Sequence, residues 1–144
     1  MFNKILIVCI GNICRSPTAE YLLRERLRAS KTVVESAGLA ALVDCPIEAT
    51  AGELLLARGI DASAHRARQL DAAAIANADL ILVMERSHLV ALSKRSPQAV
   101  GRTFLLGKWH GDREVPDPYR QGRPAFEHAY RLIEEGVDSW LRHL

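Results

Sequence analysis

Five residues separate Cys9 from Arg15 in the run Val8-Cys9-Ile10-Gly11-Asn12-Ile13-Cys14-Arg15-Ser16-Pro17. A strand-like apolar block precedes the run, and Pro17-Thr18-Ala19-Glu20 reads as a helix opening with Pro17 at its first position. A thiol at such a strand-to-helix turn faces backbone N–H groups and the positive end of the helix dipole. Those groups favour the thiolate, the nucleophilic form of cysteine, and they also bind a dianionic oxyanion. Arg15 adds a planar fork able to grip two phosphoryl oxygens. Ile10, Gly11, Asn12, Ile13, Cys14, Arg15 and Ser16 thus form a candidate phosphate-binding loop around a candidate nucleophile, Cys9. That is the arrangement needed to attack a phosphate ester. Taken singly, Cys9 would read as a small buried hydrophobe and Arg15 as a solvated charge. Gly11-Asn12, Ser16-Pro17 and the preceding strand favour the chemical reading. The loop is not of the ATP-binding type, because no Gly-Lys-Ser/Thr follows at the required spacing.

Cleaving an ester also requires a proton for the departing oxygen, given from the far side of the phosphorus. Asp117 lies between Pro116 and Pro118, in a loop stiffened on both sides. A lone Asp there would be a turn former; beside the Cys9 loop it becomes the candidate acid. Asn12 suits a left-handed backbone position. Ser16 sits where a helix N-cap belongs, with a hydroxyl that could also donate to the Cys9 sulfur. Cys14 has two readings: packing, or trapping of an oxidised Cys9 as a reversible disulfide. Cys45 has no expected chemical role. Ile10, Ile13, Leu42 and Tyr119 are candidates for the pocket mouth. Such a rim favours a flat phenyl ring, hence phosphotyrosine over phosphoserine.

The elements that must position these groups alternate along the chain. Strands are expected over 4–8, 32–37, 79–84 and 102–106, and helices over 18–29, 48–58, 71–77 and 86–94. Gly59 is the expected left-handed stop of the second helix. A last helix begins near Pro124 and buries Phe126, Ala129, Tyr130, Ile133, Val137, Trp140, Leu141 and Leu144 as one stripe. Strand–helix alternation predicts an α/β fold, with a parallel sheet covered on both faces and ligands at the carboxyl ends of its strands. Cys9, the Gly38 loop, Glu85 and the loop 108–119 would meet at that edge. One domain of 144 residues is expected, with 49% hydrophobic and 25% charged residues, ordinary for a globular chain. A net charge of +2 gives no argument for nucleic acid. The six-residue apolar run at 5–10 is too short for membrane insertion or a signal-peptide core. Cysteines at 9, 14 and 45 show no disulfide framework or zinc spacing, which fits a reducing cytoplasm. No metal site is expected, since the histidines at 88, 110, 128 and 143 lack ligand spacing. No cofactor is expected either.

The Cys9–Pro17 run resembles the signature of the low-molecular-weight protein tyrosine phosphatases, and Val115-Pro116-Asp117-Pro118-Tyr119 resembles that family's general-acid loop. Between them, Glu35-Ser36-Ala37-Gly38, His65-Arg66-Ala67-Arg68-Gln69-Leu70 and Ala78-Asp79-Leu80-Ile81-Leu82-Val83-Met84 match in order, so the likeness spans essentially the whole chain. The stretch 116–121 and the loop 39–49 look most like the bacterial branch. The resemblance implies a three-layer fold with a four-stranded parallel sheet in the order 2-1-3-4. It also implies a phosphocysteine intermediate on Cys9, phosphoryl binding by Arg15 and the loop amides, and Asp117 as general acid and then base. Asn12, Ser16, Ser36 and His65 match positions that hydrogen-bond around the loop. The implied partners are phosphotyrosine proteins, among them an autophosphorylating bacterial tyrosine kinase governing capsule or exopolysaccharide export.

Three other readings compete. A thiol-linked arsenate reductase would need relay cysteines, and residues 79–94 hold none. A phosphocysteine carrier domain of a sugar transport system would have no use for an acid such as Asp117. A silent phosphate-binding module would not need Cys9, Arg15 and Asp117 together.

Overall fold

The computed structural model describes residues 2–144. Its elements run β1 (Lys4–Cys9), α1 (Arg15–Arg26), β2 (Val33–Gly38), α2 (Ala49–Leu56), α3 (Ala72–Asn77), β3 (Leu80–Val83), α4 (Arg86–Arg95), β4 (Thr103–Leu105) and α5 (Arg123–Trp140). The strands form one parallel sheet in the order β2-β1-β3-β4.

Strand β1 is buried on both sides, as a central parallel strand must be. Ile5, Ile7 and Cys9 point to one face, where Leu22 and Leu23 of α1 and Ile133, Val137 and Trp140 of α5 cover them. Leu6 and Val8 point to the other face, packed with Ile75 of α3 and Leu92 of α4. The three-layer α/β architecture follows from that alternation. The α5 stripe is as expected, with Leu141 and Leu144 only partly buried at its end.

Register brings the functional edge together. Cys9 pairs with Gly38, and Val8 with Val83, so the carboxyl ends of β1, β2 and β3 lie side by side. Val115 then donates its N–H to the Met84 carbonyl at 2.9 Å, which ties the loop after β4 to the end of β3.

One local expectation is corrected. Helix α1 begins at Arg15, with Cys14 as its N-cap, so Pro17 is its third residue and Ser16 lies inside the first turn. The Ser16 side chain does not cap the helix. Its hydroxyl is turned into the loop instead, and the first-turn N–H groups that a cap would satisfy are left open on the pocket side.

Candidate active site

Five residues join β1 to α1, and neighbouring segments hold every carbonyl of this turn. Cys9, Ile10 and Gly11 accept from the N–H groups of Leu39, Ala40 and Leu42 at 2.8, 3.0 and 3.0 Å. The Asn12 carbonyl accepts from His65 Nε2 at 2.7 Å. Those of Ile13 and Cys14 accept from Glu48 and Thr18 at 2.7 and 3.0 Å. Because peptide C=O and N–H point in opposite directions, carbonyls pulled outward leave N–H groups facing inward. Among the described residues, no backbone N–H from Ile10 to Cys14 finds an acceptor within the chain. Unpaired amides at the start of a helix make a cradle for an anion. The close approach of residues 39–42 requires Gly38, where a Cβ would lie 2.4 Å from the Ile10 carbonyl oxygen.

Asn12 fixes the shape of the loop. It adopts the left-handed conformation at φ 59°, as expected. Its amide nitrogen donates to the Ser16 and Ser36 hydroxyls at 2.8 and 2.9 Å, and its amide oxygen accepts from the Arg68 N–H at 2.9 Å. The Ser36 hydroxyl in turn donates a hydrogen bond to buried Glu20, which also pairs with Arg24. The Ser16 hydroxyl lies 2.8 Å from the Cys9 sulfur, and once Cys9 is a thiolate the hydroxyl holds the proton that the pair shares as a hydrogen bond. Both residues are buried, Cys9 at 3% exposure and Ser16 at 0%.

Arg15 is 2% exposed and clamped by groups from the end of β3 and the loop after β4. Its Nη1 donates to the Glu85 carboxylate and, at 2.9 Å, to the Val115 carbonyl. Its Nη2 lies 3.7 Å from Asp117 Oδ2. Asp117 accepts from the Tyr119 N–H at 3.0 Å through its other oxygen, and its side chain is half exposed. The cleft is lined by Cys9 through Arg15 and by Ala40, Leu42, Asp117 and Tyr119. Ser16, Ser36 and His65 stand behind the loop as its support. Burial raises the Cys14 thiol far above its usual range, with Cys9, Glu48 and Asp117 adding to the effect. Among the described residues, no cluster of His, Cys, Asp and Glu is arranged to hold a metal ion.

Sequence spacing assigns no role to three participants: it brings Glu85 to this edge without a partner, and it does not mark Glu20 or Arg68. Their partners lie 70, 16 and 56 residues away in sequence, so no local spacing announces them.

A thiol, a fixed guanidinium and open amides in one turn, faced by a carboxyl group, define a site for phosphoryl transfer through cysteine. Comparison with known proteins narrows this class. The chain belongs to the low molecular weight phosphotyrosine protein phosphatase family, whose model matches residues 4–144. It is a protein-tyrosine-phosphatase. It is 46% identical over 144 residues to the low molecular weight protein-tyrosine-phosphatase Wzb of Salmonella typhimurium, covering 100% of this chain and 95% of that protein. The structure of Vibrio vulnificus Wzb in complex with benzylphosphonate matches with a TM-score of 0.95 and 45% identity, over 100% of both chains. A more distant match is the YwlE arginine phosphatase from Geobacillus stearothermophilus, with a TM-score of 0.88 and 30% identity over 98% of this chain and 97% of that one.

Proposed function

We propose that this protein hydrolyses phosphotyrosine in proteins through Cys9, Arg15 and Asp117. The thiolate of Cys9 attacks phosphorus in line as the phosphorus–oxygen bond to tyrosine breaks. Arg15 and the loop N–H groups hold the three equatorial oxygens as charge spreads over them. Asp117 gives its proton to the phenolic oxygen, releasing tyrosine and leaving phosphocysteine. It then takes a proton from water, whose oxygen attacks the same phosphorus and frees inorganic phosphate. The Ser16 hydroxyl stabilises the thiolate that departs in this second step.

The observation carrying the substrate assignment is the cleft wall. Ile10, Leu42 and Tyr119 are 40%, 44% and 40% exposed around an otherwise buried anion cradle. An apolar rim with an aromatic ring receives a phenyl group well, and the related protein from Vibrio vulnificus was solved with benzylphosphonate, a phenyl-bearing phosphoryl mimic. A phosphorylated guanidinium would bring polar N–H groups against the same apolar side chains. Paired phosphotyrosine and phosphoarginine peptides test the assignment: faster release of phosphate from phosphoarginine would overturn it.

We infer an autophosphorylating tyrosine kinase of capsule or exopolysaccharide production as the partner, supported by the likeness to bacterial members of the family. A reducing cytoplasm suits a free catalytic thiol. No helix among the described residues is long and apolar enough to cross a membrane. A Cys9→Ser protein should bind phosphotyrosine proteins without turning them over, and immobilised on resin it should retain such a kinase from lysate of the host. Retention of phosphotyrosine proteins without any kinase among them would reject this partner.

A further inference from the structure

His88 lies outside the cleft lining, at the start of α4, and is 1% exposed. Its Nδ1 accepts from two backbone N–H groups, those of Met84 at 3.3 Å and Glu85 at 3.2 Å. Two donors aimed at one ring nitrogen require a lone pair there, which places the ring proton on Nε2. Among the described residues that Nε2–H has no hydrogen-bond partner, although it is buried. It faces Glu85 Oε2 at 3.7 Å, the same oxygen that accepts from Arg15 Nη1. One imidazole therefore holds the Glu85 backbone through one nitrogen and addresses the Glu85 carboxylate with the other.

We propose that His88 is a positioning residue for phosphoryl binding: its Nε2–H steers the Glu85 carboxylate that fixes the Arg15 fork. The proposal rests on the phosphatase reading of the site. A buried donor without a partner is costly and persists where the surroundings or a function demand it. Here a small movement of the Glu85 carboxylate satisfies it, and any such movement changes how tightly Arg15 is held while it grips the substrate dianion. Burial, with Arg15 nearby, lowers the His88 pKa, so the ring stays neutral and keeps this single tautomer. The charged groups around it are Arg15 from α1, Glu85 from the end of β3, and Glu114 and Asp117 from the loop after β4.

A purely structural role would reside in Nδ1, which caps the helix; the proposed role resides in Nε2. Two amide replacements separate them. In His88→Asn the side-chain oxygen can take the place of Nδ1, but no N–H reaches towards Glu85. In His88→Gln an amide N–H can stand near Nε2, but the acceptor for the backbone is lost. The measurements are kcat/KM for an aryl phosphate and the calorimetric affinity for inorganic phosphate, on the full chain. His88→Asn should lose on the order of tenfold in both. His88→Gln should keep both within about threefold while its Tm falls. In a Glu85→Gln background, where the carboxylate is gone, adding His88→Asn should change neither. Wild-type phosphate affinity from His88→Asn, an undiminished His88→Asn effect beside Glu85→Gln, or a tenfold loss of both in His88→Gln would overturn the proposal. The His88→Gln comparison stands even if His88→Asn does not fold. Wild-type protein that binds phosphate but does not turn over the ester would instead refute the phosphatase reading, and phosphate affinity would still decide the role of His88.

Discussion

The Ser16 hydroxyl lies 2.8 Å from the Cys9 sulfur, and the Asn12 amide donates to that same hydroxyl oxygen at 2.8 Å. The second contact fixes the position from which the first is made. Asn12 anchors the hydroxyl oxygen, and when Cys9 is a thiolate the hydroxyl proton points at sulfur, where it stabilises the negative charge. The bond is built into the fold of the loop before any substrate arrives.

Ser16→Ala should therefore slow the breakdown of phosphocysteine more than its formation. The hydroxyl helps the thiolate when it leaves, and a hydrogen bond to a charged group is worth about 1.5–3 kcal/mol, or roughly 10- to 100-fold in rate. With an aryl phosphate of good leaving ability, the variant should show a burst of phenol followed by a slow steady state. A variant with the wild-type steady rate and no burst would remove Ser16 from the second step.

Glu20 gives the chain a pH dependence of stability. Burial raises its pKa above 4.5, even though Ser36 and Arg24 oppose the shift. Below pH 4.5 both folded and unfolded chains hold the proton, and the contribution is complete. As pH rises past that value the unfolded chain releases the proton first, so stability is lost until the folded carboxyl also ionises. Glu20→Gln has no proton to lose, so it should gain on wild type as pH rises through that window. Urea unfolding at several pH values between about 4 and 8 measures this; a pH-independent difference between the two proteins would contradict it.

Cys14 connects burial to redox behaviour. If it traps Cys9 sulfenic acid, it must react as a thiolate, and burial together with the neighbouring negative groups makes that thiolate scarce at neutral pH. Disulfide closure after mild peroxide should accelerate as pH rises, and Cys14→Ser should make recovery by thiols poorer. Peptide mass mapping of the oxidised protein tests the pairing. Cys45 is exposed; a Cys9–Cys45 link, or closure indifferent to pH, would refute the role.

What the sequence shows and what it hides differ by the distance over which each residue acts. Cys9, Arg15 and the alternation of strands and helices depend on neighbours a few positions away, so spacing reveals them. Glu48 and Asp71 stand immediately before α2 and α3 and accept from their first-turn N–H groups, which is why those starts are legible. Helix α1 is read two or three residues late because its first turn belongs to the anion cradle, where open N–H groups replace the usual cap. Glu85 and His88 gain their meaning only when β3 comes to lie beside β1, bringing Glu85 to Arg15. Sequence periodicity marks α4 but says nothing of what its first turn touches.

Asp117 allows the sharpest separation between hydrolase and phosphocysteine carrier. In the free protein one carboxyl oxygen is anchored by the Tyr119 N–H at 3.0 Å, and the other lies at the cleft 3.7 Å from Arg15. Pro116 and Pro118 on either side limit how far it can swing. A proton donor so placed contributes most when the departing oxygen is strongly basic and least when the phenol is acidic, within a range of about 10² to 10⁴ in rate. Asp117→Asn should therefore slow an aryl phosphate with a poor leaving group at least tenfold more than one with a good leaving group. The steepness of rate against phenol pKa should increase in the variant. Asn keeps the size of the side chain and an oxygen for the Tyr119 N–H, so the loop should hold its shape and the difference should report the proton alone. Rates for a short series of substituted phenyl phosphates decide the matter. Equal slowing across the series would mean that Asp117 only shapes the loop, and the carrier reading would gain support.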